Sequence, residues 1–369
     1  MIEYLCFVKL TLKIKLLPDT KQAKSLLNTI ETFNKACNTI SGVAWDKRLF
    51  NQFKLHRECY HPTKNEFNLS AQLVVRALGK VADSYKAGKK RKREFHSRGA
   101  IIYDSRILSY KGNVASVSTI DGRIKLPFVC HRPDWIPYIR GEADLIFKKG
   151  KYFLLQTVEI PDQEIKDMED FLGVDFGVVD IVSLSTGENV SSKWVNEYRL
   201  KREKIRSSVQ RKGTKGAKNL LKRLSGKERA TATHINHTLS KRIVMLAKAQ
   251  SKGIAIEDLT HIRKRTEKKV RKKQRGLRSK WSFGQLRLFL TYKSALNGVQ
   301  LVVVSPRYTS QTCYVCKHIG SRKGKNFTCT NCGNVADADI NAALNISQSG
   351  IAVINPEKSA MYCSLHSQV

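Results

Sequence analysis

The sequence predicts a multidomain α/β chain, and three observations carry that prediction. At 369 residues the chain exceeds what one ordinary small core needs. In the first half, β-like segments bracket a helical block. The second half alternates short apolar strands with long helices.

The opening stretch alternates Val8, Leu10, Leu12, Ile14 and Leu16 with polar neighbours, the pattern of a half-buried strand. Lys9, Lys13 and Lys15 interrupt any signal-type apolar core, so no targeting peptide is expected there. Pro18-Asp19-Thr20 marks a helix start. Leu26, Leu27, Ile30, Phe33, Ala36 and Cys37 then recur at helical spacing on the way to Arg48. A second helix is expected from Ser70 through Tyr85, ending in the basic run AGKKRKREFHSR. From Ile101 the texture becomes β-like. VASVSTIDGRIKLPF carries an Asp-Gly hairpin signal, and ADLIFKKGKYFLLQTVEI reads as two strands joined at Lys149-Gly150. A small barrel assembled from both β segments, with the helices inserted between them, unites these features. Pro161 to Asp170 reads as an exposed acidic linker.

Beyond it, FLGVDFG and VVDIVSLSTGE read as a strand, a bend and a return through Thr186-Gly187. Trp194 to Lys252 is helical, GIAIEDL is a short buried strand, WSFGQLRLFLTYKSAL a helix and VQLVVVS a strand. The segment HIRKRTEKKVRKKQRGLRSK is too basic to pack, and residues 350–369 show no readable role.

Lys and Arg outnumber Asp and Glu 67 to 31, a net charge of +36 that points to a polyanionic partner. Nucleic acid is favoured over membrane, because neither an apolar span of about 20 residues nor a basic amphipathic helix is present. The surplus is steepest from Ser191 to Lys280, with 29 basic and 6 acidic residues. Arg263, Lys264, Arg265, Lys268, Lys269, Arg271, Lys272 and Lys273 are the expected phosphate contacts, since their density resists helix formation unless an anion screens them.

Cys313-x-x-Cys316, twelve intervening residues, then Cys329-x-x-Cys332 has the spacing of a tetrahedral thiolate site for one structural Zn²⁺. With four protein ligands such a site is closed to chemistry. The other cysteines show no pairing pattern and are expected as thiols of an intracellular protein. Acids supply the second candidate site. Asp175 and Glu257 each end a short apolar strand, and Asp337 and Asp339 open an alanine-rich helix. If these meet, two Mg²⁺ about 3.5–4 Å apart could be held for phosphodiester hydrolysis. Ile340, Ala343 and Leu344 mark a buried stripe that position 339 borders, so Asp339 rather than Asp337 is expected to point inward.

GVDFG (173–177), GIAIEDL (253–259), YTSQTCYVC (308–316), CTNCG (329–333) and ADADINAALNI (336–346) together resemble the TnpB family, transposon-encoded RNA-guided DNA endonucleases similar to miniature type V CRISPR effectors. The resemblance is dense in the C-terminal half. In the N-terminal half it extends to layout only. It implies a wedge-type β-barrel (1–17 and 99–165) with an inserted helical recognition region (18–98). An RNase H-like RuvC nuclease domain (166–349) with an inserted zinc ribbon (308–336) and a C-terminal tail (350–369) would follow. By motif it implies Asp175, Glu257 and Asp339 as the catalytic, Mg²⁺-binding acids, and it selects Asp339 over Asp337. It further implies a guide RNA derived from the transposon end, a double-stranded DNA target beside a short flanking motif, and a prokaryotic cytoplasmic or nucleoid location. Two other readings use the same features: a guide-directed DNA-binding repressor, and a zinc-ribbon transposase that itself performs strand transfer.

Overall fold

The computed structural model describes residues 7–165, 168–177, 180–259 and 282–355. The chain divides into two compact units at the 161/162 boundary.

In the first unit, β1 (Phe7–Leu16) leads into α1 (Thr20–Asp46), α2 (Gln52–Phe67) and α3 (Ala71–Lys86). Strands β2 (Ile101–Tyr103), β3 (Leu108–Lys111), β4 (Val114–Thr119), β5 (Gly122–Cys130), β6 (Ile139–Lys148) and β7 (Lys151–Pro161) follow. All seven strands form one sheet in the order β2-β6-β7-β1-β5-β4-β3. Its two outer strands are consecutive in sequence, and the Tyr103 hydroxyl donates to Ser118 O at 2.7 Å, so the sheet curls into a nearly closed barrel. The helices are inserted between β1 and β2. Asp19 caps α1 through a reciprocal box with Gln22. Lys149 and Gly150 turn β6 into β7 with φ of 53° and 73°, the left-handed pair of a tight hairpin.

Helix α2 was not expected from the sequence. Its segment carries Pro62 and many polar residues, yet Leu55, Cys59, Thr63 and Phe67 recur every fourth position and form its buried stripe. Such a narrow stripe in a polar segment is a weak periodic signal.

In the second unit, β8 (Phe171–Asp175), β9 (Asp180–Leu184) and β10 (Asn189–Ser191) form an antiparallel meander. Helices α4 (Lys193–Arg211) and α5 (Lys215–Ala249) lead to β11 (Gly253–Glu257), and α6 (Phe283–Ala295) leads to β12 (Leu301–Val304). β8, β11 and β12 run parallel, which gives a five-stranded sheet in the order β10-β9-β8-β11-β12. A three-stranded ribbon of β13 (Ser321–Lys323), β14 (Asn326–Thr328) and β15 (Val335–Asp337) then runs directly into α7 (Ala338–Ile354). No helix among the described residues is long and apolar enough to cross a membrane. The basic segment expected to contact phosphates, which contains Arg263 through Lys273, lies outside the described residues.

Both faces of the sheet are covered, which explains why FLGV and GIAI are continuous apolar runs rather than alternating ones. Leu172, Val174, Ile254 and Ile256 pack against Leu239, Ile243 and Ala247 of α5 and Leu286 and Leu290 of α6. The intervening positions Phe171 and Ala255 face Ile346 of α7. Gly173 has no side chain on that second face for a specific reason. A Cβ there would fall well inside 3.0 Å of Ala343 O and 2.6 Å from Ser347 N, so the α7 backbone rests directly on β8. Ser347 Oγ donates to Phe171 O at 2.5 Å, and Gly350 admits the same close approach against Ala255 and Phe171. The residues from Gly350 to Ile354, assigned from the sequence to a C-terminal tail, continue α7, because their small first residue lets the helix stay on the sheet.

Gly173→Ala is expected to destabilise the second unit by about 3 kcal/mol, the upper part of the overpacking range, because backbone and not a flexible side chain has to move. Urea unfolding, read as a fall in midpoint at unchanged slope, checks this.

Candidate functional site

The register of β8 on β11 pairs Val174 with Ile256, so the next residues, Asp175 and Glu257, leave the two parallel strands at the same sheet edge. Each acid stands where an apolar strand emerges from beneath the helices. The start of α7 completes the site. Asp337 is the N-cap, its Oδ1 accepting from the backbone N–H of Asp339 at 2.9 Å and of Ile340 at 3.1 Å. With Asp337 committed to the helix end, Asp339 turns inward. It is 6% exposed, and its Oδ1 accepts from Arg322 Nη2 at 2.6 Å.

The electrostatics show that the three carboxyls share one field. Burial, then the charges of Glu257 and Asp339, push Asp175 up to about 8, against the pull of the Arg322 guanidinium and a backbone N–H. Burial also raises Glu257, opposed by a hydrogen bond from the Thr309 hydroxyl and by Arg322. Arg322, on ribbon strand β13, thus acts on all three acids. The carboxylates are nonetheless looser than a closed cage. Among the described residues, the only group of three or more potential ligands whose atoms all lie within 4.8 Å of one another is the cysteine quartet. Three hard oxygen donors, two of them buried and Asp175 half-buried, fit a divalent cation, since one paired guanidinium leaves much of their charge unmatched.

Several residues that frame this edge were invisible in the sequence. Lys325 pairs with Asp180, whose side chain is buried at the start of β9, and its carbonyl accepts from Ala338 N at 2.7 Å. Arg287 of α6 pairs with Asp258 at 2.8 Å. In the sequence, Arg322 and Lys325 belong to SRKGK, which reads as a solvated basic turn. Only the ribbon's attachment to α7 turns them toward acids. Residues 308–311 read in the sequence either as a segment that positions substrate or as a polar turn leading into a zinc knuckle, and the structure brings Thr309 of that stretch to Glu257.

The ribbon itself is built on its cysteines. Cys313 Sγ lies 3.7 Å from Cys332 Sγ, and Cys316 Sγ lies 3.4 Å from Cys329 Sγ. Those separations are far beyond a disulfide and close to the edge of about 3.8 Å that four sulfurs would span around Zn²⁺ at ~2.3 Å. The two CxxC turns are built alike. Lys317 N donates to Cys313 O at 3.0 Å and Gly333 N to Cys329 O at 3.1 Å, with φ of 63° and 71° at those two residues. All four thiols therefore converge from two equivalent knuckles, and the quartet could hold zinc.

Comparison with known proteins extends this picture. Residues 283–346 match the model of the Cas12f1-like TNB domain. A TnpB-like protein of Methanocaldococcus jannaschii is 29% identical over 238 residues, which cover 59% of this chain and 85% of that protein. The CRISPR-associated endodeoxyribonuclease Cas12f2 of a Micrarchaeota archaeon is 27% identical over 226 residues, covering 55% of this chain but 41% of the relative. Against most of the curated relatives the chain spans only about half of their length, from 41% to 55% in the cases of Cas12f2 and the Escherichia coli relative. The solved structure of the mini-RNA-guided endonuclease CRISPR-Cas phi3 superposes with a TM-score of 0.54 at 11% identity, covering 94% of this chain and 93% of that one, a likeness of fold. The family model and the archaeal TnpB-like relative agree with the motifs around the acidic edge and the cysteine quartet, so the chain is similar to members of the TnpB family.

Proposed function

We propose that the protein is an RNA-guided DNA endonuclease whose second unit is an RNase H-like RuvC nuclease domain and whose cysteine subdomain is a zinc ribbon. The observation that carries this reading is that Asp175 and Glu257 end adjacent parallel strands, with the charges of Glu257 and Asp339 both acting on Asp175. The strand order of β8 to β12, an antiparallel meander followed by two parallel strands, supports the domain reading. The relatives Cas12f2 and Cas12f1 are CRISPR-associated endodeoxyribonucleases, which supplies the substrate class.

In this reading Asp175, Glu257 and Asp339 hold two Mg²⁺. When bound, these ions supply an activated water and charge stabilisation of the leaving 3′-oxygen. The chain's own residues do the rest. Asp175 would serve as a ligand in its ionised form, and Thr309 keeps Glu257 in place through its hydroxyl. Asp337 holds the α7 N-terminus so that Asp339 keeps facing the cluster. The zinc ribbon has no chemical step. It fixes the hairpin that carries Arg322 and Lys325. The guide RNA, read here as derived from the transposon end, delegates target selection to base pairing beside a short flanking motif, while the basic chain grips backbone and duplex shape. Helix α4 fits such a role, since Val195 is its only buried residue and its remaining surface is rich in Lys and Arg.

Cleavage of a guide-matched plasmid in Mg²⁺ is expected to fall by on the order of 1,000-fold in Asp175→Ala and in Glu257→Ala, with guide and target binding retained. Undiminished cutting by either variant would remove the basis for this reading.

Linkage gives a second expectation. Asp175 is raised in the fold, so at pH values between the ordinary carboxylate range and about 8 the folded protein holds a proton that the unfolded chain has released. Its contribution to stability therefore declines as pH rises through that window. Asp175→Asn is expected to be more stable than wild type in metal-free buffer, with a margin that grows from pH 5 to pH 8 and then levels. Thermal melts across that range test the sign.

Metal analysis of the purified protein is expected to find one Zn²⁺ per chain, and Cys329→Ser to lose it while the seven-stranded sheet of the first unit stays folded by circular dichroism. Full zinc retention in that variant would exclude the tetrathiolate.

A further inference from the structure

We propose that Tyr308 is a stacking platform for an unpaired base of single-stranded DNA at the edge of the acidic site. The proposal rests on the nuclease reading above and adds a substrate contact to it.

Tyr308 sits four residues beyond the end of β12, whose last residue, Val304, pairs with Glu257 and accepts from Asp258 N at 2.9 Å. The turn that it opens is clamped on two sides. Gln311 N and Thr312 N both donate to Tyr308 O at 2.9 Å, and the Thr309 hydroxyl donates to Glu257. From α7, Asn345 Nδ2 donates to Thr309 O at 3.0 Å and to Thr312 O at 2.7 Å, while Asn341 Nδ2 donates to Thr312 O at 2.8 Å. Thr309 is consequently 8% exposed, whereas its neighbour Tyr308 is 62% exposed. The turn that carries Tyr308 is fixed by these backbone hydrogen bonds, and its next residue, Thr309, anchors it to Glu257.

Its backbone has φ of 62°, a left-handed conformation that is unfavourable for a bulky aromatic residue and free for glycine. The backbone hydrogen bonds of the turn hold that conformation, and the side chain contributes nothing to holding it. Among the described residues, the Tyr308 side chain takes part in no ring contact, cation contact or hydrogen bond, and it adds nothing to the core. A large aromatic kept in a strained, exposed conformation beside buried acids is the arrangement expected of a ligand contact. The ligand chemistry follows from the surroundings. Arg307 precedes the ring in a strongly cationic chain, which favours a polyanion that also offers flat π faces. Bases in a duplex already stack on each other, so an exposed ring can take only an unpaired one. Stacking of that kind accepts any base.

The test uses the full-length protein with its guide and compares wild type with Tyr308→Phe, Tyr308→Ala and Tyr308→Gly. Three readouts are taken: melting temperature, kcat and KM on matched single-stranded DNA, and quenching of 2-aminopurine scanned along the oligonucleotide. Tyr308→Phe should match wild type. Tyr308→Gly should melt higher, because the strain is released, yet its KM should rise roughly ten-fold, the scale of one base stack, with kcat changed less than about two-fold. An abasic nucleotide at the stacked position should raise the wild-type KM to that of Tyr308→Gly and leave the variant unaffected. Equal KM and equal quenching in wild type and Tyr308→Gly would overturn the proposal, as would a Tyr308→Gly defect that persists undiminished on every abasic substrate. If no variant cleaves, the quenching readout still decides. A wild-type-only quench would sustain the platform while the nuclease reading fails, and its absence would end both.

Discussion

The acidic site depends on backbone contact between α7 and β8. Where Gly173 has no side chain, Ala343 O and Ser347 N of the helix lie closer to the strand than any other residue would allow. Helix position is thereby fixed by main chain rather than by adaptable side chains, and the helix start is carried to the edge where β8 and β11 end. Because β15 continues directly into α7, the same contact places the ribbon, and with it Arg322 and Lys325, over the acids. A one-methyl change at Gly173 acts on all of these at once.

Burial and charge then set the chemistry of the edge. Two acids at adjacent strand ends and a third at a helix start repel one another in a partly dry environment, and Asp175 responds by holding its proton more tightly. The surrounding chain is strongly cationic, but the positive charge is not uniformly spread onto the acids. Arg322 reaches Asp339 and influences the other two, while Lys325 is engaged by Asp180. A cluster compensated by one guanidinium retains an appetite for cations. The rest of the positive charge remains available to a polyanion.

The two halves of the second unit divide labour by rigidity. The sheet and its covering helices hold Asp175 and Glu257 through continuous apolar strands. The ribbon, whose small strands bury little, relies on Cys313, Phe327, Cys329 and Ala338 for a core and on the cysteine quartet for closure. Such a subdomain lacks the apolar area to hold a hairpin by packing alone, which is the circumstance in which a metal does the work of a core.

Much of this was legible in the sequence because it is local. The apolar runs ending in Asp175 and Glu257, the twin CxxC spacing, the Lys149-Gly150 turn and the Asp19 cap are each written within a few residues, where periodicity and turn chemistry act. Helix α2 was not legible, since a stripe of four buried residues in a polar segment with Pro62 is weak evidence of period. Spacing along α7 pointed only weakly to Asp339, because two residues separate the candidates; tertiary structure commits Asp337 to capping and turns Asp339 toward Arg322. The roles of Arg322, Lys325, Thr309 and Asp180 were likewise decided only in three dimensions. Side chains that meet across 52 or 145 positions of sequence, as Thr309 with Glu257 and Lys325 with Asp180 do, leave no local trace, because the packing of helix on sheet, and not chain proximity, brings them together.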